Sequence, residues 1–231
     1  MLNDIRYSLR ALRKNLGFAL IAVLSIALGI GANSAMFSLA DALLLRPLPV
    51  PHPSQVVSVR SQTRGERPGD MSYRDYVDFR DRAKSFDGLT AYQITPFGFA
   101  PDKTALARMQ AGMLVSGNFF QVLDVQPRLG RGFRPEEDQV PGRDAVAVLG
   151  SEMWRHEFGA RRDVIGKTIF VNGVAFTVVG VAPESFTGMD QWFRPALFIP
   201  AAMAPRLAGK ADVLERRGDR SWTVKGRLKS N

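Results

Sequence analysis

"GARRDVIGKTIFVNGVAFTVVGV", residues 159–181, carries a Gly-Lys-Thr at 166–168 that admits two readings. The end of a phosphate-binding loop needs its first glycine at position 161 and a helix opening at the lysine, because the loop's N–H groups must curl around the phosphates. Position 161 is arginine, and Gly159 lies too far upstream. The residues after Lys167 are also wrong for a helix. β-Branched and aromatic residues flank Asn172-Gly173, a two-residue signal for a type I′ hairpin. The stretch reads as a β-hairpin, with Lys167 opening a strand and binding no nucleotide.

Outward from the hairpin, strand and helix signals alternate. "AVAVLG" (145–150) reads as a buried strand and "SEMWRHEFG" (151–159) as a helix with Ser151 at its N-cap. "GRGFRPEED" (130–138) reads as a turn leading into an acidic helix start. There Glu136, Glu137 and Asp138 suit the positive end of the dipole. "LTAYQITPFGFA" (89–100) and "ALARMQAGMLV" (105–115) pair as strands ahead of a short helix in "SGNFFQVLDV" (116–125). "QVVSVR" (55–60) is a strand, and "MSYRDYVDFRDRAKSFDGL" (71–89) is a helix burying Tyr76, Phe79, Ala83 and Phe86. After the hairpin come the apolar "PALFIPA" (195–201), a helix-like stretch near Met203–Leu207 and a last strand, "SWTVKGRL" (221–228). With nothing after it to cover its edge, that last strand is expected to lie bare. The class is α+β: a mixed sheet with antiparallel hairpins and short helices, rather than a doubly wound parallel fold.

The first residues set the compartment. Leu2, Ile5, Leu9, Leu12 and Leu16 fall at helical spacing with Arg6, Arg10, Arg13 and Lys14 off that stripe, so 1–16 reads as a basic amphipathic helix lying on an anionic membrane surface. Residues 15–40 carry no charge, and a span of about 20 apolar residues crosses a bilayer core. The transmembrane helix is placed at 17–40. Its basic flank puts the N-terminus in the cytoplasm, and everything beyond about Asp41 outside. A cleaved signal peptide is the rival, with "GANSA" (31–35) as its cleavage site. The apolar pattern runs on through Met36, Phe37 and Leu39 and favours an uncleaved helix. A dinucleotide loop at Gly29-x-Gly31 fails, because Ser34 stands where the third glycine belongs. Ala22, Ser25, Gly29 and Ala32 share one face on which another membrane helix can approach closely.

Composition narrows the chemistry. The 231 residues hold 45% hydrophobic and 23% charged side chains, an ordinary globular balance. There is no cysteine, so neither disulfides nor cysteine-ligated zinc are available. The net charge of +9 is spread among 22 acids, which suits a solvated basic surface and not a nucleic-acid site. Asp75, Asp78 and Asp81 recur at intervals of three on one helix with no histidine near, as a salt-bridged face does. The two histidines, His52 in a proline-rich connector and His156 on a helix, lack the paired spacing of zinc ligands. No Gly-x-Ser-x-Gly turn is present. The expectation is no catalytic residue, no metal and no cofactor.

Four ordered segments then carry a resemblance: "RPLPVPHPSQVVSV" (46–59), "VSGNFFQVLDVQPRLGRGFRPEED" (115–138), "VAVLGSEMWRHEFGARRDVIGKTIFVNGVAFTVVGVAPESF" (146–186) and "VKGRL" (224–228). Together they resemble the MacB-like periplasmic core domain of bacterial ABC transporter permeases. The leading helix and span are similar to the start of acidobacterial duplicated orphan permeases. The resemblance implies a permease of the bacterial inner membrane with a periplasmic core domain at 46–231, one span before it and three after. It also implies a separate cytoplasmic ATPase, a dimer of permeases and motion passed to the outer domain. The lipid bilayer and other permease helices are then its partners. Against that pattern the sequence ends at Asn231, before the second part of the domain, and is expected to be truncated and either to self-associate or to be unstable unless the missing C-terminal part is supplied. The competing expectation is an exported hydrolase released by signal cleavage.

Overall fold

Leucine, isoleucine, alanine and phenylalanine crowd residues 16–40 without a proline or a charge, and the run forms one long helix, α1 (Leu16–Ala40). From Leu16 to Leu39 it is long and apolar enough to cross a membrane, and no other helix among the described residues is. The structure, a computed structural model, describes residues 14–40, 48–62, 65, 67–189 and 193–229. The basic helix expected over 1–16 therefore lies outside the described residues, apart from 14–16. The chain divides into two compact units, Met1–Pro47 and Leu48–Asn231.

The second unit runs through β1 (Val56–Val59), α2 (Tyr73–Arg82), β2 (Phe86–Ala100), β3 (Arg108–Val115), α3 (Phe119–Val122) and β4 (Leu129–Gly130). It continues with β5 (Val146–Leu149), α4 (Ser151–Phe158), β6 (Thr168–Val171), β7 (Val174–Val181), β8 (Leu197–Pro200), α5 (Ala204–Ala208) and β9 (Thr223–Leu228). The strands form one sheet in the order β1-β9-β2-β3-β8-β5-β7-β4, with β6 joined to both β7 and β2. Only β3 with β8 and β5 with β7 run parallel among these pairs. The sheet is mixed and the class α+β.

β6 changes the sheet's shape. It pairs with β7 along its whole length and with Phe99 and Ala100 at the end of β2. The pairings β2–β3–β8–β5–β7–β6 therefore return to β2 and close a ring, which removes the free edges an open sheet would leave there. Alternation along the strands then sorts the core into two clusters. Phe97, Phe99, Leu114, Leu149, Ile169, Val171, Phe176, Leu197 and Ile199 pack in one. Met113, Val115, Val148 and Phe198, from the opposite faces, pack in the other against Phe119, Phe120 and Phe186. Both faces are buried along β5 and β8 and at the ends of β3 and β7, which read as near-continuous apolar runs, while β1, β9 and the middle of β2 keep one wetter face.

The hairpin forms as read. Asn172 and Gly173 have φ of 48° and 77°, the left-handed pair of a type I′ turn. Asn172 also accepts a 2.8 Å bond from the Gly98 N–H through Oδ1, pinning the turn to β2. A Cβ at position 173 would meet nothing within 4 Å, so strain there comes from the backbone alone. Gly173→Val is expected to cost about 1–3 kcal/mol in a denaturant melt, and an unchanged midpoint would contradict the turn assignment.

Three local expectations are corrected. α2 stops at Arg82, with Ala83 already extended and Phe86 in β2, while Phe79 is 42% exposed. Tyr76 packs with Tyr73 and Val77 instead. Tyr73 meets Trp222 at 4.7 Å between ring centroids, and this tertiary contact, invisible to local periodicity, chooses the buried face. Ser151 is the first helical residue of α4 and Gly150 is its N-cap, because a Cβ at 150 would lie 2.1 Å from the Pro195 carbonyl. The last strand is not bare: β9 lies between β1 and β2, antiparallel to both. Sequence order put it last, and sheet order put it inside.

Candidate functional site

The Gly-Lys-Thr stretch makes no anion cradle. Gly166 has φ of 84° and donates its N–H to Val178 O at 2.8 Å, while Lys167 O accepts from the Val178 N–H at 2.9 Å. The Lys167 N–H is spent on Val164 O, and its ammonium pairs with Asp163 at 3.3 Å. Amides that feed the protein's own carbonyls cannot encircle phosphate. Lys167→Ala should leave stability within about 0.5 kcal/mol, as for most surface changes. ATP titrated against the parent should give no saturable binding; saturable binding lost with Lys167 would overturn the reading.

Polar groups converge elsewhere, where "GRGFRPEED" meets α2. Residues Pro135–Asp138 form a short 3-10 turn. Glu137 folds back on Arg131 with bonds of 2.6 and 2.8 Å and accepts the Arg134 N–H at 2.8 Å. Arg131 and the Arg134 N–H hold the Glu137 carboxyl below its ordinary pKa against the opposing pull of burial. Asp138 turns inward. Its Oδ1 accepts from the Ala202 N–H at 2.8 Å, and its Oδ2 from the Gly117 N–H at 2.7 Å and the Tyr73 hydroxyl at 3.1 Å. Burial raises the Asp138 carboxyl above its ordinary pKa, opposed by those three donors and the Arg80 charge. The Tyr73 hydroxyl is pushed well up, first by burial and then by Asp138. One carboxylate thus ties α2, the start of α3 and the turn after β8 to a single loop.

Beside this clamp lies a cleft of about 460 Å³. It is lined by Tyr73, Arg74, Val77 and Arg80 of α2, by Pro135, Gln139 and Pro141 of the following turn, and by Leu214 and Glu215. A second network runs beneath it. Tyr76 donates to Leu89 O, Asn118 donates to the same carbonyl at 2.8 Å, and Ser116 lies 2.7 Å from both Thr90 and Asn118. These are buried polar groups satisfied by one another, which rigidifies the floor.

Other candidates from the sequence fall outside the cleft. His52 and His156 are both exposed. Asp75 and Asp78 take the two arms of the Arg217 guanidinium, and Asp81 pairs with Arg80, so the acidic face is an ion-paired one. Among the described residues no three histidine or acidic side chains gather where a metal could be held. Sequence reasoning took Asp138 for a helix-dipole acid. Its partner Gly117, where a Cβ would lie 2.5 Å from the Asp138 Cβ, is far away in sequence, and no local signal joins them.

The comparisons with known proteins agree with this architecture. A family model for the MacB-like periplasmic core domain matches residues 19–231. The macrolide export ATP-binding/permease protein MacB of Shigella dysenteriae is 27% identical over 215 residues, covering 87% of this chain and 32% of that protein. The chain thus spans about a third of the length of the curated relatives it matches. The extracellular domain of the noncanonic ABC-type transporter YknZ from Gram-positive bacteria superposes with a TM-score of 0.54 at 14% identity, over 76% of this chain and 84% of that one. The periplasmic region of MacB from Actinobacillus actinomycetemcomitans gives 0.52 at 14% identity, over 79% and 78%. At such identity the likeness is one of fold.

Proposed function

The chain belongs to the MacB-like periplasmic core domain family, and from that premise we propose that it is the membrane-anchored outer portion of an ABC-transporter-permease-like protein. It works by protein contact and conformational coupling and catalyses nothing itself. The observation that carries this reading is the extent of the family match, which begins inside α1 at residue 19 and runs to 231. Helix and outer domain are therefore parts of one family unit. α1 sits in the lipid of the inner membrane, the N-terminus is cytoplasmic, and residues from 46 onward form the periplasmic core domain. Hydrolysis is supplied by a separate cytoplasmic ATPase, and further permease helices and a second permease complete the assembly. The part assigned here is to receive and relay motion between those helices and the outer side. The clamp at Asp138, which joins four elements through one side chain, suits a body that moves as a unit.

The competing reading, an exported enzyme freed from its helix, separates cleanly by mass. The expressed protein should remain in the membrane fraction after alkaline wash, with α1 present in the intact mass. A soluble mature chain beginning near Ala35 would sink the anchored reading.

A further inference from the structure

Two arginines of one helix line the cleft beside Asp138. Arg74 and Arg80 stand on the same wall with Val77 between them, about 9 Å apart along the helix axis at the rise of an α-helix. Arg74 faces Glu215 at 3.8 Å, beyond hydrogen-bond reach, and acts through its charge on Asp78. Arg80 gives its Nε to Asp81 at 2.9 Å, lies 5.6 Å over the Tyr76 ring and also engages the Tyr76 hydroxyl, with 37% of its side chain exposed. The rest of the lining mixes apolar Val77, Pro135, Pro141 and Leu214 with polar Asn118 and Gln139. The carboxylate at the floor, Asp138, is already met by two amides and a hydroxyl.

Two guanidinium groups on one helix, with Val77 midway between them in sequence, are complementary to two carboxylates flanking an apolar residue. From residue 46 onward the chain carries 27 basic against 20 acidic residues, so an acidic partner is also drawn to it at long range. We propose that the cleft docks an acidic segment of a partner polypeptide, and that Glu215 stands in for one of the partner's carboxylates when the cleft is empty. The strap carrying Glu215 is fixed from outside by Arg217 on Asp75 and Asp78, so the incoming carboxylate displaces one side chain and not the wall. This inference rests on the contact function proposed above and names the chemistry of the contact.

The test uses the full chain in detergent and a fluorescein-labelled peptide with Leu-Pro between two glutamates, since three extended residues reach about 10 Å. Fluorescence anisotropy at low salt should rise saturably. Arg74→Gln with Arg80→Gln should weaken binding about tenfold, the scale of one lost charge-assisted hydrogen bond. The same peptide with glutamines for glutamates should weaken equally, and Glu215→Gln should tighten binding by removing the internal competitor. The charge-matched pair Arg161→Gln and Arg162→Gln, away from the cleft, should change nothing. All five side chains are exposed enough to keep the fold, and the gain expected of Glu215→Gln does not depend on a loss. No saturable rise, equal binding by the Arg74/Arg80 variant, an equal loss in the Arg161/Arg162 control, or no gain with Glu215→Gln would each overturn the site. A protein that fails here yet stays anchored and exported refutes the docking chemistry alone and leaves the anchored reading standing.

Discussion

Asp138→Ala is expected to lower the stability of the outer unit by about 2–4 kcal/mol, because it leaves buried donors without an acceptor. The Ala202 and Gly117 amides lose their only described partner, and the Tyr73 hydroxyl loses its own. Asp138→Asn should not rescue it fully, since one face of an amide would point N–H against N–H. The effect has a pH signature. The folded-state pKa of Asp138 is raised above its ordinary value, so the fold holds a proton there that the unfolded chain has already released. The parent's stability therefore falls as pH rises from the ordinary carboxylate pKa to the raised one, and then levels. The variant lacks that step, so its deficit should be largest in acid and smaller at neutral pH. Denaturant melts of both proteins across pH 3 to 8, taken as roughly the range over which carboxylates titrate, would show it. A deficit that grows with pH would contradict the assignment.

Gly180→Ala should also cost about 2–4 kcal/mol, through a collision that no rotamer can relieve. Gly180 and Gly130 face each other across β7 and β4. A Cβ at 180 would lie 2.1 Å from the Arg131 carbonyl, and one at 130 would lie 2.2 Å from the Val179 carbonyl. Gly130 has a φ of 67° besides, so Gly130→Ala adds backbone strain to the clash. This close pairing lays the Arg131–Glu137 turn on the hairpin strand and sends Asp138 into its clamp. Gly69→Ala, whose nearest neighbour is 4.0 Å away, is the control and should stay within about 0.5 kcal/mol. Equal stabilities for Gly180→Ala and Gly69→Ala would refute the packing.

The features legible in the sequence were local. Asn172-Gly173 fixed a turn because only a few residues tolerate its dihedrals, and the uncharged run at 15–40 declared a long helix by length alone. The β2–β3 pair was legible because both strands neighbour each other in the chain. The insertion of β9 between β1 and β2, the ring closed by β6, and the parallel pairings of β8 and β5 were not. Each joins residues far apart in sequence, where periodicity carries no information. The candidate cleft was hidden for the same reason. Its walls come from α2, the 135–141 turn and the strap near 214, and Asp138 became a clamp only once Gly117 and Ala202 stood beside it.

The proposal stands on export of the domain that follows α1 and on its retention in the membrane fraction. The chain has no cysteine, so a single introduced thiol reports its own side of the membrane. Leu106, 90% exposed at the end of the β2–β3 hairpin, is the position of choice, with Ser8→Cys as the opposite-side control. In intact spheroplasts, a membrane-impermeant maleimide should label Leu106→Cys in the membrane-bound protein and leave Ser8→Cys untouched until lysis. Labelling of Leu106→Cys only after lysis, or its recovery free of the membrane, would contradict the account.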